Sequence, residues 1–349
     1  MKDSRSLILD FQFRVRDRAW ASAVRLMSVL FGLAFALGAT ARAAEGPSVS
    51  PNRVSVILVI GAAGEAQFGR EFEVQEKAWR EAAQRADARL VVVGSGAAGE
   101  GGLTDRDRLQ QALSSEEKTG PVELWLVLVG HGTFDGEQGK FNLRGPDVSA
   151  AELSQWLKPF QRPLAIVDAA SASAPFLAAL SGPNRAIVTA TRSGFEQNYT
   201  RFGGYFAAAL TNEKSDLDKD GQVSLLEAFL TAARQTAEFY KTAGRLATEH
   251  PLLDDNGDGL GTPADWFRGT RATKRAKDGA GLDGARARQL TLVRSAAEQV
   301  LSPELRARRD ALELQVEKLR AEKAKLPDNE YYDRIEKLML ELASVYGGT

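Results

Sequence analysis

The stretch that decides the fold is VELWLVLVGHG, Val122 to Gly132. Its middle is a continuous apolar run, the pattern of a strand that is buried on both faces of a parallel sheet. The run stops at Gly-His-Gly, where we expect the side chain of His131 to reach solvent. His131 is one of only two histidines in the chain. A histidine just past a buried strand occupies the place where open α/β sheets put ligand and catalytic groups.

Similar apolar runs recur along the chain and alternate with segments of helical spacing. The strand-like runs cover residues 53–61, 88–94, 162–170 and 184–194, and the helical segments cover 68–86, 104–117, 147–160 and 174–182. Thr104 is a candidate N-cap, and Ser149 precedes Glu152 at the spacing of a capping box. Strands alternating with helices predict an α/β fold over residues 53–268, with three layers (α/β/α) and a mainly parallel sheet.

The first 43 residues carry the features of a secretory signal peptide. Basic residues precede the apolar run Leu26–Ala39, and sites with small residues follow it. These basic residues are Lys2, Arg5, Arg14, Arg16, Arg18 and Arg25. We expect cleavage near Ala41 or Ala43, a linker over residues 44–52, and export to the periplasm or the medium. The alternative is an uncleaved amphipathic anchor, and only in that case do we expect contact with a membrane.

The composition limits the classes of function. The 349 residues are 44% hydrophobic and 26% charged, with a formal net charge of −1. This is an ordinary globular balance, without the strong basic excess of a nucleic-acid-binding chain. No cysteine is present, so disulfides and a cysteine nucleophile are both excluded. We therefore expect an exported chain of this kind to be stabilised by its core and by metal.

The C-terminal part of the chain changes character. Residues 269–300 are polar and rich in glycine, and we predict a linker there. Over residues 301–347, leucines recur every seven residues, and a Pro-Asp-Asn break precedes a second amphipathic run. The apolar positions are Leu305, Leu312, Leu319 and Leu326, followed by Ile335, Leu338, Leu342 and Val345. The pattern predicts an α-helical hairpin or a short coiled coil, which offers a surface for protein partners.

Two motifs resemble those of the legumain/caspase-like cysteine peptidases. VLVGHG is similar to the strand that ends in the catalytic histidine of this family, at His131. LAIVDAASAS resembles the nucleophile strand, with Asp168-Ala169 where the family has a Glu-Ala or Gln-Ala pair. Ala170 then stands where the family has its cysteine. The resemblance covers about residues 53–240, and it implies a caspase/legumain-like fold in which His131 is a vestigial catalytic residue.

Alanine at position 170 has no lone pair with which to attack a substrate. Ser171 is an alternative nucleophile with His131 as its base, and Ser173 is a further candidate. However, an extended strand would point the side chain of Ser171 to the opposite face. His131 also has a purely structural alternative, in which its ring satisfies loop carbonyls. We therefore assign no confident catalytic residue. Arg192, Glu196 and Arg201 lie near a possible specificity pocket, without assigned roles.

The strongest motif is DLDKDGQVSLLE, Asp216 to Glu227, which has the spacing of an EF-hand-type calcium loop. Three carboxylates alternate along one turn, Gly221 allows the bend, and Glu227 stands at the twelfth position. The predicted ligands are Asp216, Asp218, Asp220, the backbone carbonyl of Gln222, Ser224 through water, and Glu227. The alternative is a solvated acidic turn that caps the following helix.

A second, weaker motif is DDNGDGLGTPAD, Asp254 to Asp265. Its predicted ligands are Asp254, Asn256, Asp258 and Asp265, of which the last is shorter than the usual glutamate. Gly261 replaces the apolar residue that such loops normally carry. The alternative is a plain Asx/Gly turn. Because calcium is abundant outside cells, we expect bound calcium to act structurally.

Three hypotheses for function follow. The first is an exported, catalytically inactive caspase/legumain-like pseudopeptidase that binds calcium and serves as a binding or scaffolding module. The second is a peptidase or esterase that uses Ser171 and His131. The third is a calcium-responsive interaction protein. We expect a protein partner at the C-terminal helices and no nucleic-acid partner.

Overall fold

A seven-stranded sheet forms the centre of the molecule, in the order β10 (Thr262–Pro263), β9 (Leu252–Asp254), β8 (Arg185–Thr189), β7 (Leu164–Asp168), β3 (Leu124–Val129), β1 (Ser55–Ile60) and β2 (Arg89–Val93). The computed structural model describes residues 53–96 and 102–347, which belong to the compact unit Val49–Thr349. The predicted signal peptide, its alternative as an anchor and the linker over 44–52 lie outside the described residues. Five strands (β2, β1, β3, β7 and β8) run parallel, and β9 and β10 add an antiparallel edge.

The strands of this sheet alternate with helices along the chain, as the sequence pattern predicts. The sheet strands are β1 (Ser55–Ile60), β2 (Arg89–Val93), β3 (Leu124–Val129), β7 (Leu164–Asp168), β8 (Arg185–Thr189), β9 (Leu252–Asp254) and β10 (Thr262–Pro263). The helices are α1 (Ala66–Arg85), α2 (Asp105–Ser115), α3 (Ala150–Leu157), α4 (Ala174–Leu180), α5 (Phe202–Ala209), α6 (Leu225–Thr242), α7 (Ala296–Val300), α8 (Pro303–Glu322) and α9 (Asp328–Gly347). Short 3-10 turns cover Glu213–Ser215, Ala264–Trp266 and Lys323–Lys325.

Two separate apolar layers cover the two faces of the sheet. Alternate residues of β1 point to opposite faces, so that Leu58 joins one layer and Val59 the other. Helices α1, α5 and α6 cover the first face, with Trp79 and Phe206 buried there. Helices α2, α3 and α4 cover the second face. The predicted three-layer α/β/α class with a mainly parallel sheet is confirmed.

Side-chain caps begin several of the helices. Thr104 accepts a hydrogen bond from the backbone N–H of Asp107, which confirms the predicted N-cap of α2. Ser149 and Glu152 form the predicted capping box at the start of α3. These caps satisfy backbone N–H groups that have no partner inside the helix, and they fix where each helix leaves the sheet.

A three-stranded sheet and a short hairpin lie outside the main sheet. β4 (Gly132–Phe134), β5 (Gly139–Phe141) and β6 (Val148–Ser149) form a three-stranded antiparallel sheet directly after His131. β11 (Phe267–Arg268) and β12 (Arg271–Ala272) form an antiparallel hairpin in which each strand is two residues long. The runs are too short to be predicted from hydrophobic periodicity.

The predicted linker over residues 269–300 is wrong for much of its length. Ala287, Leu290 and Leu292 are buried in the core layer beneath α6. The backbone carbonyls of Leu290 and Ala287 accept hydrogen bonds from the first two N–H groups of α6, at 2.7 and 3.1 Å. This segment thus belongs to the α/β body, although its apolar residues are too sparse to show a period.

Helices α8 and α9 pack against each other through apolar faces. Leu312, Val316 and Leu319 of α8 are buried, as are Tyr331 and Val345 of α9. This arrangement agrees in outline with the helical hairpin expected over residues 301–347. None of the helices in the described residues is both long and apolar enough to span a membrane.

Candidate functional site

The carboxyl ends of β3, β7 and β8 meet at one edge of the sheet, which we call the catalytic edge. His131 follows β3, Ala170 follows β7, and the loop over residues 190–201 follows β8. Parallel strands place these three segments side by side. The edge is therefore where the resemblance predicts the vestigial catalytic residues.

The ring of His131 lies among aromatic side chains. Its centroid is 4.8 Å from that of Phe68, 5.3 Å from Phe72 and 6.3 Å from Tyr199. Burial lowers the pKa of His131, and a hydrogen bond to the carbonyl of Ala63 opposes this shift only in part. The ring is therefore predominantly neutral at pH 7.

The hydroxyl of Ser171 is hydrogen-bonded to the backbone of Gly132. It accepts a hydrogen bond from the backbone N–H of this glycine at 3.1 Å and lies 3.3 Å from the carbonyl oxygen of the same residue. The side chain is only 1% exposed. Ser171 thus ties the loop after β7 to the loop after β3. Within the described residues, no side-chain hydrogen bond joins either histidine to a hydroxyl.

The other predicted hydroxyl, Ser173, is also occupied and buried. It lies 3.1 Å from the hydroxyl of Thr191 and accepts the backbone N–H of the same residue. Ala170 is 1% exposed, and its N–H donates to the carboxyl of Asp168 at 3.1 Å. Burial raises the pKa of Asp168 well above its ordinary value, so this carboxyl favours its neutral form.

The second histidine is a feature of this edge that the sequence analysis missed. His250 Nδ1 lies 2.5 Å from the carboxylate of Glu196, although the two residues are 54 positions apart. Glu196 also accepts the backbone N–H of Arg192 at 3.0 Å, and its carbonyl accepts the N–H of Ala172 at 2.8 Å. The only available signal was the scarcity of histidine, because no spacing connects these residues.

Arg201 lies close to the same edge. Its guanidinium is 4.1 Å from the ring centroid of Phe239 and 5.9 Å from that of Tyr199. Its backbone N–H donates to the buried carboxylate of Glu249 at 2.9 Å. Glu196 and Arg201 therefore stabilise the loop over residues 190–201 through contacts with other parts of the chain. Arg192 takes part by donating its backbone N–H to Glu196.

The first acidic loop, residues 216–227, has a regular set of carboxylate-to-backbone hydrogen bonds. Asp216 accepts from Lys219 at 2.6 Å and Gly221 at 3.1 Å, Asp218 from Asp220 at 3.3 Å, and Asp220 from Gln222 at 3.0 Å. Lys219 and Gly221 both have positive φ, at 66° and 89°. The chain thus curls around its own carboxylates.

The second acidic loop, residues 254–265, repeats this arrangement position by position. Asp254 accepts from Gly257 at 3.0 Å and Gly259 at 3.1 Å, Asn256 from Asp258 at 2.9 Å, and Asp258 from Leu260 at 2.8 Å. Gly257 and Gly259 again have positive φ, at 81° and 74°. Gly261, which breaks the motif, has no room for a larger side chain, because an added Cβ would lie 2.7 Å from the Cβ of Leu252.

In each loop, one further carboxylate accepts the N–H groups of the second and third loop residues and so closes the loop. The two closing carboxylates come from different parts of the chain. In the first loop, one oxygen of Glu227 accepts the N–H groups of Leu217 at 2.7 Å and Asp218 at 3.1 Å. Its other oxygen accepts the N–H and hydroxyl of Ser224 at 2.9 and 2.8 Å, in a capping box that begins α6.

In the second loop, Asp283 takes the equivalent place. It accepts the N–H groups of Asp255 at 3.0 Å and Asn256 at 3.2 Å, which are the second and third loop positions, as Leu217 and Asp218 are in the first. Asp265, predicted as the closing ligand, is exposed and makes no hydrogen bond to the loop. Asp283 lies in the segment that was predicted to be a linker, so the motif could not reveal it.

Both loops concentrate negative charge. Burial and the neighbouring charges of Glu227 and Asp220 raise the pKa of Asp218 to about 6. Burial and the charges of Asp255 and Asp254 raise the pKa of Asp283 to about 8. In both cases burial is the larger cause, and the neighbouring negative charges add to it.

The donor atoms of the first loop suit a hard divalent cation. Ligand oxygens of Asp216, Asp218 and Glu227 all lie within 4.8 Å of one another. Two oxygens on opposite sides of a calcium ion are at most about 5 Å apart, since each lies about 2.4 Å from the ion. Asp220 lies outside this group, and its carboxylate accepts the amide of Gln222 at 3.1 Å.

Comparison with solved structures finds similar chains, among them two insect caspases. The crystal structure of the Drosophila initiator caspase Dronc is 13% identical, with a TM-score of 0.35, and the similarity covers 66% of this chain and 93% of that one. The crystal structure of caspase-1 from Spodoptera frugiperda is 10% identical, with a TM-score of 0.37, and the similarity covers 62% and 94% of the respective chains. No family model and no curated protein matches the sequence. Both TM-scores are too low to decide function.

Proposed function

We propose that this protein is an exported, calcium-binding module of caspase/legumain-like architecture that binds or scaffolds other proteins and does not catalyse peptide hydrolysis. The observation that carries the proposal is the convergence of three carboxylates, Asp216, Asp218 and Glu227, within 4.8 Å. Within the part of the chain that the structure describes, this is the one group of three or more acidic or histidine side chains whose ligand atoms come this close together. Calcium binding is therefore the best-supported part of the function.

Calcium fits the chemistry of the first loop. Every candidate donor is an oxygen, which is the ligand type that calcium prefers. Asp216, Asp218 and Glu227 would hold the ion, with Asp220, the carbonyl of Gln222 and Ser224 in support. A bound ion would supply a cross-link between the loop and the start of α6. In a chain without cysteine, that cross-link is a substitute for a disulfide.

The second loop supports the same proposal. Asp254, Asn256 and Asp258 occupy the same positions as Asp216, Asp218 and Asp220, and Asp283 occupies that of Glu227. The alternative of an acidic turn that caps a helix explains one such loop, but it does not explain why two loops share the same hydrogen-bond pattern. We propose calcium for both loops, with a structural role.

The lack of catalysis is supported by the state of the hydroxyls at the catalytic edge. Ala170 occupies the position of the expected nucleophile, and Ser171 is buried and bonded to Gly132. A serine nucleophile needs a base within hydrogen-bond reach, and neither Ser171 nor Ser173 has a histidine partner. The hydrolase alternative has no specific support from this geometry.

A role in binding proteins is supported by the apolar surface of α9. Tyr332, Met339 and Leu340 are 56%, 41% and 65% exposed, on a helix whose opposite side packs on α8. Large exposed apolar residues close together mark interaction surfaces. This surface is our proposed site for a protein partner.

The calcium proposal is tested by titration calorimetry together with thermal unfolding. Asp218→Asn removes one charge and keeps an oxygen that can accept from Asp220. We expect calcium to bind at least about tenfold more weakly to this variant. Asp333→Asn, an exposed change on α9, is the matched control and should bind like the wild type. Absence of binding heat and of thermal stabilisation at millimolar calcium would refute the proposal.

The same titration separates structural from responsive calcium. A higher melting temperature with an unchanged circular dichroism spectrum supports a structural role. A change in spectrum or in hydrodynamic radius supports the calcium-responsive alternative.

The inactive state is tested with a serine-reactive activity probe. We expect no labelling of the wild type. Labelling that disappears in Ser171→Ala would establish the hydrolase alternative. Mass spectrometry of the N-terminus of the mature protein tests export, since cleavage near Ala41 or Ala43 is expected, whereas an intact N-terminus supports the membrane anchor.

A further inference from the structure

The hairpin formed by β11 and β12 presents two arginines side by side. Its register pairs Phe267 with Ala272 and Arg268 with Arg271. Ala272 is buried, and the ring of Phe267 lies 6.3 Å from that of Phe229 in the core. Because alternate residues of a strand point to opposite faces, Arg268 and Arg271 share the outer face. Both are exposed.

Like charges directly opposite each other across a hairpin destabilise it. Arg268 and Arg271 are nevertheless paired, and three more exposed cations follow within six residues. These are Lys274, Arg275 and Lys277. The sequence contains no acidic residue between Asp265 and Asp278. Across residues 53–96 and 102–347, none of the five cations makes an ion pair or a side-chain hydrogen bond. We call these five residues the basic hairpin.

The strands that carry Arg268 and Arg271 are anchored to the core through Phe267 and closed by hydrogen bonds between Thr273 and Trp266. The N–H and the hydroxyl of Thr273 both donate to the carbonyl of Trp266, at 2.8 and 2.9 Å. The backbone of Gly284 lies directly against the ring of Phe267. Arg268 and Arg271 thus extend from an ordered hairpin, and Lys274, Arg275 and Lys277 follow it in the chain. An ordered backbone lowers the entropy cost of binding a ligand.

We propose that the basic hairpin binds the phosphate groups of an anionic phospholipid surface. Arginine forks match phosphate oxygens, and clusters of four to eight basic residues are typical of sites that bind acidic lipids. The proposal is independent of calcium and of catalysis.

The observations favour lipid over nucleic acid. Trp266 and Phe267 are partly buried, and the hairpin offers no exposed ring on which a base could stack. The formal net charge of the whole chain is −1, so the five positive charges are a local excess and not part of an extended basic stripe. The positive charge of the basic hairpin covers a small area, which suits contact with a few lipid headgroups better than contact along a nucleic-acid duplex.

The test is co-sedimentation of the full chain with phosphatidylcholine vesicles, with and without phosphatidylglycerol, in the presence of EDTA. We expect binding to the anionic vesicles only, and weaker binding as salt is raised. Arg268→Gln combined with Arg271→Gln should weaken that binding about thirtyfold, and adding Lys274→Gln and Lys277→Gln should weaken it further. The matched control is Arg70→Gln with Arg234→Gln, which removes two exposed arginines of α1 and α6 and should bind like the wild type.

Equal binding to both kinds of vesicle, or equal losses in the double variant and the control, would overturn the proposal. Binding to duplex DNA without binding to anionic vesicles would overturn it as well. Thermal unfolding shows whether weaker vesicle binding results from unfolding of the variant. The double variant should melt no lower than the wild type, because it removes a repulsive pair and no hydrogen bond.

Discussion

The acidic loops and the catalytic edge use polar side chains in opposite ways. In the first loop, carboxylates that accept backbone N–H groups also bring oxygens of Asp216, Asp218 and Glu227 within 4.8 Å of one another. At the catalytic edge, each polar group is paired with a different neighbour: Ser171 with Gly132, and His250 with Glu196. Convergent carboxylates can share one cation, whereas groups that are each paired with a different neighbour offer no common site for one. The proposed calcium binding is therefore assigned to the acidic loops.

The two loops also differ from each other in one instructive respect. Both have the same internal hydrogen bonds, yet Glu227 comes from the helix that follows its loop and Asp283 comes from a separate segment. The first loop is thus a local unit. The second depends on the packing of the chain around Ala287 and Leu290, which fixes where Asp283 lies.

The largest expected effect comes from Glu227→Gln. Glu227 accepts four hydrogen bonds, and an amide would turn a donor toward N–H groups that need an acceptor. We expect a loss of about 2 kcal/mol in the free energy of unfolding without calcium. We also expect calcium binding at this loop to fall at least about tenfold. Denaturant unfolding in EDTA and calorimetry measure the two effects.

The control for this variant is Glu238→Gln, an exposed position on the same helix, which should change neither quantity. If Glu227→Gln binds calcium as the wild type does, the loop is an acidic cap for α6 and the contrast with the catalytic edge disappears.

The next effect distinguishes the closing residues of the second loop. Asp283→Asn should lower the calcium stoichiometry from two ions to one, because it removes the charge that closes residues 254–258. Asp265→Asn should leave the stoichiometry at two, since Asp265 is exposed and far from the hydrogen-bond pattern of the loop. Native mass spectrometry reads the stoichiometry directly. The opposite ranking of the two variants would show that the structural match between Asp283 and Glu227 has no bearing on metal binding.

A smaller effect is expected from Ser171→Ala at the catalytic edge. The change removes the hydroxyl that joins the loops after β3 and β7. We expect a loss of about 1 kcal/mol in the free energy of unfolding. Ser114→Ala, at an exposed site of α2 whose hydroxyl bonds only within its helix, should cost nothing, since alanine is the better helix former. Equal stability of the wild type and Ser171→Ala would contradict a structural role for this hydroxyl.

The smallest effect is the pH dependence contributed by His131. Burial lowers the pKa of His131 in the folded protein, so its contribution to stability is present above the ordinary histidine pKa. This contribution is lost as the pH falls through the lowered value. Wild type should therefore lose more stability between pH 7 and pH 5 than His131→Gln, as measured by chemical unfolding.

His250→Gln is the companion variant for this measurement, because it removes the other histidine and should retain the His131 contribution. Identical pH profiles for the wild type and His131→Gln would show that the ring is as well solvated in the folded chain as in the unfolded one.

The parallel strands of the sheet could be predicted from the sequence because of their apolar composition. Leu124–Val129 and Leu164–Asp168 are continuous apolar runs that end where turn residues begin. The antiparallel strands β9 and β10 could not be predicted, since they are three and two residues long and show no period. Short strands are recognised only through their partners.

The positions of the acidic side chains in both loops could also be predicted from spacing, but the closing residue could be predicted only for the first loop. Glu227 lies within its motif, whereas Asp283 and Asp255 are 28 positions apart and meet only through tertiary packing. The pairing of Glu196 with His250 across 54 positions has the same origin. Local chemistry is encoded locally, but contacts between segments depend on how the core assembles.

Gly132, in the Gly-His-Gly turn, has a consequence for how such motifs are interpreted. A Cβ added at this position would overlap the carbonyl oxygen of Ser171, so no larger residue fits there. Steric exclusion alone is enough to keep the glycine, whether or not any reaction takes place next to it. A search for enzymes that relies on a histidine-glycine pair will therefore also retrieve chains in which the pair persists only because two loops touch.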